Sequence, residues 1–250
     1  MRKAALVLAV TAIIAIGCPS SSPDPEAADT PAAGPSTRPT DRHVEPDCPN
    51  QEAAVAGSRT QGSRAGDIDG DGSDDMVYLA VDQNGPQGCR AFVVADTEGG
   101  RLAEEISDPD ISVDLGLPTV ESITPVDGRP GAEIVVRILA GASTLFVGLF
   151  TVHEGELERV QVAGQPQYGN LFPSGGSVGH LEGSDCSGDG IMISLAVPEG
   201  RHYEVTRTFF SLSATMAEPT HTEVAFVRPR NLNRYPELGA PPFSDCPPEE

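Results

Sequence analysis

From residue 76 to residue 228 the chain repeats one pattern: a short apolar run, then a break rich in glycine, proline or aspartate. The runs hold Val, Ile, Thr and Phe, which suit a pleated, half-buried surface. They predict strands over 76–81, 91–96, 101–106, 122–126, 133–139, 144–153, 156–163, 191–197, 202–211 and 222–228. Three breaks are short enough for hairpins: Thr97-Glu98-Gly99-Gly100, Glu154-Gly155 and Pro198-Glu199-Gly200. No segment of the domain 48–250 keeps apolar residues at helical spacing between caps, so no helix is expected there. The expected fold class is all-β, with residues 48–250 long enough for one sizeable core.

The first 47 residues read differently. Arg2 and Lys3 precede an apolar stretch, 4–16, that is too short for a spanning helix, which needs roughly 20 residues. It ends in Ala15-Ile16-Gly17-Cys18, which resembles a bacterial lipoprotein signal. That resemblance implies removal of residues 1–17 and lipid on Cys18. Ala15 departs from the usual Leu, Val or Ile. A plain secretory signal cleaved near Gly17 is the alternative. Residues 18–47 then form a tether, with prolines at 19, 23, 25, 31, 35, 39 and 46 and almost nothing apolar to bury. Such a segment cannot offset the entropy of ordering, and its prolines favour an extended chain. Lipid on Cys18 would insert in a membrane while the domain beyond the tether stays in water.

One break carries more chemistry than the rest. In Gly66-Asp67-Ile68-Asp69-Gly70-Asp71-Gly72-Ser73-Asp74-Asp75, carboxylates alternate at Asp67, Asp69 and Asp71, so they can turn inward together. Gly70 and Gly72 let the backbone fold tightly around an ion. Ser73 offers its carbonyl and Asp75 closes the loop. This oxygen set suits Ca²⁺, which takes roughly 6–8 oxygens. An EF-hand is excluded: its twelfth position needs Glu, and counting from Asp67 the twelfth is Tyr78. An ordinary aspartate- and glycine-rich turn is the competing reading. The pattern D-x-D-x-D-G-x-x-D running into Met76-Val77-Tyr78-Leu79 resembles the calcium loops of FG-GAP/VCBS repeats. Those repeats build the propeller blades of integrin α-subunits. The resemblance implies a β-repeat fold and Ca²⁺ on Asp67, Asp69, Asp71, Ser73 and Asp75.

A weaker repeat accompanies the loop. Asp69, Asp127 and Asp185 are spaced at equal intervals of 58 residues, each followed by a glycine-bearing loop and an apolar strand. A unit of that size suits a four-stranded blade. The second copy has Pro125 for Asp67 and Arg129 for Asp71, keeping Asp127 and Glu133. Arg129 is placed to supply in cis the positive charge that an ion supplies in the first. The third copy keeps Asp185, shifts Asp189 and has Cys186 inside the loop, where a disulfide can take the ion's role. One calcium site is therefore expected, not three. About 200 residues hold roughly three and a half units, whereas closed propellers usually have at least four blades. A propeller-like and an irregular β-domain both remain open.

Cysteines fit export. Apart from Cys18 there are Cys48, Cys89, Cys186 and Cys246, an even number consistent with two disulfides. Of the three possible pairings, Cys48–Cys89 with Cys186–Cys246 is preferred, each pinning one end of the domain. Neither C-x-x-C nor a tight Cys/His cluster is present, so zinc and redox readings lack support. The net charge is −21 and Lys3 is the only lysine, which weighs against nucleic acid as a partner.

Gly175-Gly176-Ser177-Val178-Gly179, followed by His180, matches the G-x-S-x-G nucleophile elbow. That motif needs a strand before it and a helix after it. Neither flank reads so, and a glycine-rich loop is expected instead. His153, His180, His202 and His221 are scattered without metal-binding spacing. The function expected is a lipid-anchored, exported, calcium-binding β-domain with a non-catalytic binding role, its partner an envelope or other protein. A serine hydrolase using Ser177 and a purely structural envelope lipoprotein are the alternatives.

Overall fold

Short strands joined by tight turns bury a face only by stacking on one another. The chain does so in three meanders. A computed structural model describes residues 48, 50–86, 89–106, 118–165, 167–177, 179–188 and 190–246, all within the unit Val44–Glu250. The first meander is a separate sheet of β1 (Arg59–Gly66), β2 (Asp75–Val81), β3 (Ala91–Thr97) and β4 (Gly100–Glu105), in that order. The second holds β5 (Thr119–Thr124), β6 (Glu133–Ala140), β7 (Thr144–His153) and β8 (Glu156–Arg159). The third holds β11 (His180–Ser187), β12 (Gly190–Glu199), β13 (His202–Ser213) and β14 (Met216–Val227). β10 (Phe172–Ser177) pairs with β7 on one side and β11 on the other, so the last two meanders share one sheet. The two-residue β9 (Gln161–Val162) runs parallel to the start of β14.

The core lies between the meanders. Val77, Leu79 and Val81 of β2 meet Ile134, Val136 and Ile138 of β6 across the two sheets. The alternate residues of β6 and β7, Val135, Val147 and Leu149, pack with Ile191, Ile193 and Phe210. Thus the larger sheet turns over on itself. The ends of the stack are covered differently. The short helix α1 (Gln51–Gly57) brings Val55 onto Tyr78, Ala80, Phe92 and Val94, so β2 is apolar on both faces. At the other end a strap of two 3₁₀ turns, Pro229–Arg234 and Pro236–Leu238, lays Leu238 on Ala196 and Val205.

The all-β expectation holds. The meanders form a stack, and no core cluster of the described residues joins the first meander to the third in a ring. Three strands were not legible in the pattern. β1 (RTQGSRAG), β10 (FPSGGS) and β11 (HLEGSDCS) are polar and glycine-rich because part of each lies against backbone or water. The expectation of no helix is corrected by α1, where the Asn50 side chain accepts from Ala53 N at 3.0 Å. The run 156–163 splits into β8 and β9, and 222–228 belongs to a strand that begins at Met216. The signal 1–17, Cys18, the tether to 47, Val178 and Asp189 lie outside the described residues.

Both preferred disulfides are formed, with Cα atoms 5.1 Å apart for Cys48–Cys89 and 5.0 Å for Cys186–Cys246. The first ties the chain before α1 to the approach to β3. The second ties β11 to the chain beyond the strap. Neither bridge links the two sheets.

Candidate functional site: an aspartate loop and its arginine counterpart

The loop 67–74 joins β1 to β2. Its aspartates are held by its own backbone. Asp67 accepts from Gly70 N at 2.7 Å and from Gly72 N at 2.8 Å. Asp69 accepts from Asp71 N at 3.2 Å, and Asp71 from Ser73 N at 2.7 Å. These bonds require Gly70 and Gly72 at φ +79° and +87°, where a side chain is strained. One carboxylate oxygen from each of Asp67, Asp69 and Asp71 lies within 4.8 Å of the others. That donor set, hard, anionic and converging, fits a divalent cation of the Ca²⁺ type. Ser73 stands beside it, its N–H directed to Asp71.

Asp75 stands apart from that group and has a distinct role. It is the buried first residue of β2, and its Oδ2 accepts from Ile68 N at 3.0 Å. The bond closes the loop from inside. Burial pushes its carboxyl above the ordinary carboxylate range, and the charges of Asp69, Asp71 and Asp67 add to that. A cation among the three aspartates would relieve this repulsion.

The loop 125–132, between β5 and β6, is built the same way. Glu133 begins its strand as Asp75 does, is buried, and accepts from Val126 N at 2.7 Å. Asp127 accepts from Arg129 N at 2.9 Å, as Asp69 does from Asp71. The difference is the cation: the Arg129 guanidinium is paired with Asp127. The closing bond was not legible before the structure, although the 58-residue spacing of Asp75 and Glu133 was its signal.

The two loops touch. Ala132 N donates to Asp67 O at 2.9 Å. A Cβ on Gly70 would meet the Pro130 backbone at 2.8 Å, and one on Gly131 would meet Ile68 O at 2.7 Å. Arg129 reaches on to Ala214 O at 3.2 Å, in the turn between β13 and β14. The aspartate loop therefore sits at the joint between the first sheet and the second.

The third copy is corrected. β11 and β12 pair as far as Ser187 and Gly190, so Asp185 and Cys186 lie on a strand rather than in a loop. Asp185 lies on β11, where its Oδ1 accepts from Cys186 N at 2.9 Å and Asp245 N at 3.1 Å. It holds the end of the chain beside the disulfide.

Ser177 ends β10 and pairs across the hairpin with His180. Its Oγ is 3.2 Å from His180 Nδ1 and accepts from Gly179 N at 3.2 Å. His180 Nε2 lies 3.5 Å from buried Glu182, whose other oxygen accepts from Tyr168 OH at 2.6 Å. Sequence reading missed Glu182 and Tyr168, which are brought in by topology. A strand follows the serine where the elbow motif needs a helix. Gly175 and Gly176 are explained by close approach to Ser143 O and His180 O.

No known protein family, curated protein or solved structure matches the chain.

Proposed function

We propose that this is an exported, lipid-anchored β-domain, stabilised by one calcium ion, with a non-catalytic binding role at the cell envelope. In this reading the chain is a decayed relative of FG-GAP/VCBS repeats, with one loop still taking its ion. The observation that carries it is the convergence of Asp67, Asp69 and Asp71 at the joint between two sheets. Arg129 supports it, because the matching loop holds a fixed positive charge beside the equivalent aspartate. The lipid anchor rests on the sequence around Cys18, and the disulfides favour an oxidising compartment. The ion's role is structural: it neutralises the loop that docks on Pro130, Gly131 and Ala132.

Thermal unfolding with Ca²⁺ and with EGTA tests this directly. The expected result is a lower Tm in EGTA, and an Asp69→Ala variant with a low Tm in both. Saturating calcium at about 100 times its Kd corresponds to roughly 2.7 kcal/mol. Equal melting curves for the wild type would sink the reading.

A second reading, a hydrolase using Ser177, is favoured by one observation, the Ser177–His180 contact. Fluorophosphonate labelling of Ser177, lost in His180→Ala, is its test.

A further inference from the structure

Ser177 and His180 form a cross-strand pair at the end of the β10–β11 hairpin, so their side chains share one side of the sheet. Glu182 follows two residues on, on that side. It lies opposite Leu195 of β12, and Leu195 is in line with Thr206 and Val224. Carrying the β11–β12 register one residue further sets His180 beside Val197, which is in line with Glu204 and Phe226. Val197 is 41% exposed, Val224 56% and Phe226 63%. The hydrogen-bonded cluster therefore opens onto an uncovered apolar strip.

Within the cluster each group orients the next. Tyr168 donates to Glu182 Oε1 at 2.6 Å. Burial, then that bond, holds its phenol above the ordinary range, so it stays a donor. The Glu182 side chain is only 7% exposed, and its Oε2 lies 3.5 Å from His180 Nε2. A carboxylate there favours the tautomer with its proton on Nε2. Nδ1 is then free to accept from Ser177 Oγ, 3.2 Å away. Gly179 N–H, 3.2 Å from Oγ, supports the charge left as that proton departs.

We propose that Ser177 and His180 hydrolyse neutral esters whose aliphatic acyl chain lies along Leu195 and Val197. Ser177 Oγ adds to the ester carbonyl carbon while His180 Nδ1 takes its proton. The bond from that carbon to the alcohol oxygen breaks, and the alcohol leaves with the proton. Water then adds to the acyl-serine, losing a proton to His180; the carboxylic acid departs and the proton returns to Ser177 Oγ. Glu182 and Tyr168 are positioning residues. Paired strands lie about 4.8 Å apart, so Val197 on β12 is about 10 Å from Ser177 on β10. An acetyl group stops short of Val197, and an octanoyl chain reaches it. Glu204, in line with Val197, disfavours acyl chains that end in a carboxylate. Resting on the hydrolase reading of Ser177 in place of a non-catalytic role, this activity does not involve the calcium loop.

The test is hydrolysis of p-nitrophenyl acetate and p-nitrophenyl octanoate by the full chain. Release of p-nitrophenolate is expected to fall by about 100-fold or more in Ser177→Ala and in His180→Ala. The kcat/KM for octanoate is expected to be about tenfold that for acetate. Glu182→Gln still accepts from Tyr168; it lowers kcat while KM holds, a split that a purely structural role would not give. Val197→Asp, at an exposed site, brings the octanoate-to-acetate ratio down toward one. If neither ester is hydrolysed in a Ser177-dependent way, the hydrolase reading fails and the acyl strip with it. If hydrolysis depends on Ser177 but the two esters react equally, or the ratio survives Val197→Asp, the hydrolase reading stands and the acyl strip is overturned.

Discussion

Gly70 shows how tightly one residue is constrained at the loop joint. Its φ is +79°, and a Cβ would meet the Pro130 backbone. Gly70→Ala should therefore destabilise the chain by about 1–3 kcal/mol, with or without calcium. Urea unfolding in EGTA checks this; an unchanged midpoint would show that the joint tolerates a side chain. At this scale the sequence was informative about identity and silent about role. Asp67, Asp69 and Asp71 were recognisable as a group because their alternate spacing lets the carboxylates converge, as they do. Asp75 was grouped with them, yet its Oδ2 holds Ile68 N, a bond across seven residues that spacing does not reveal. The partners of Ser177 were hidden for a different reason. Glu182 meets His180 through strand register and Tyr168 meets Glu182 from a loop, and neither leaves a local pattern.

Among the elements, the strap over β12 and β13 rests on one buried carboxylate. Glu237 accepts from Arg207 Nε at 2.9 Å and Nη2 at 3.0 Å, and from Ser194 Oγ at 2.7 Å. The Arg207 guanidinium also lies 4.4 Å from the centre of the Tyr235 ring. Gly183 lets the Glu237 backbone approach β11, where a Cβ would collide with it. Removing the carboxylate leaves Arg207 largely buried without its partner. Glu237→Ala should cost about 3–5 kcal/mol, toward the lower end because Arg207 is partly exposed. Denaturant unfolding measures this, and a loss below 1 kcal/mol would mean that the disulfide at Cys246 alone secures the strap. The strands with apolar runs, β2, β3, β6, β7 and β12, were legible because both their faces are buried. β10 and β11 were not, since strands that pack glycine against backbone carry little hydrophobic signal, and β1 was not because it is mostly exposed. α1 escaped because seven residues are too few for a periodic pattern.

For the molecule as a whole, buried carboxylates shape how stability follows pH, Glu104 and Glu133 foremost. Burial, then the neighbouring Glu105 and Glu158, pushes Glu104 from 4.5 to about 7. Burial, then Asp127, does the same to Glu133. Both groups bind their proton more tightly when folded. Their contribution is therefore full below about pH 4.5 and is lost as pH rises toward 7. In EGTA, which removes any calcium effect, the denaturant midpoint should fall between pH 5 and pH 8. Glu104→Gln should flatten that slope, and a midpoint rising with pH would contradict the assignment. The architecture was legible only as a class. Strand count and repeat length are compatible with a ring or a stack, and the choice is made by α1 and the strap, which cover the two end faces.

The two disulfides also decide how the domain bears load. If the chain before Cys48 is the tether proposed above, a pull on it crosses the bridge to Cys89 and then runs into β3 and β4. The chain between those cysteines, a separation of 41 residues, is bypassed. That span holds α1, β1 and the whole aspartate loop. Under the anchored proposal, force from that side bypasses the backbone of the loop and reaches it only through its contacts with Pro130, Gly131 and Ala132.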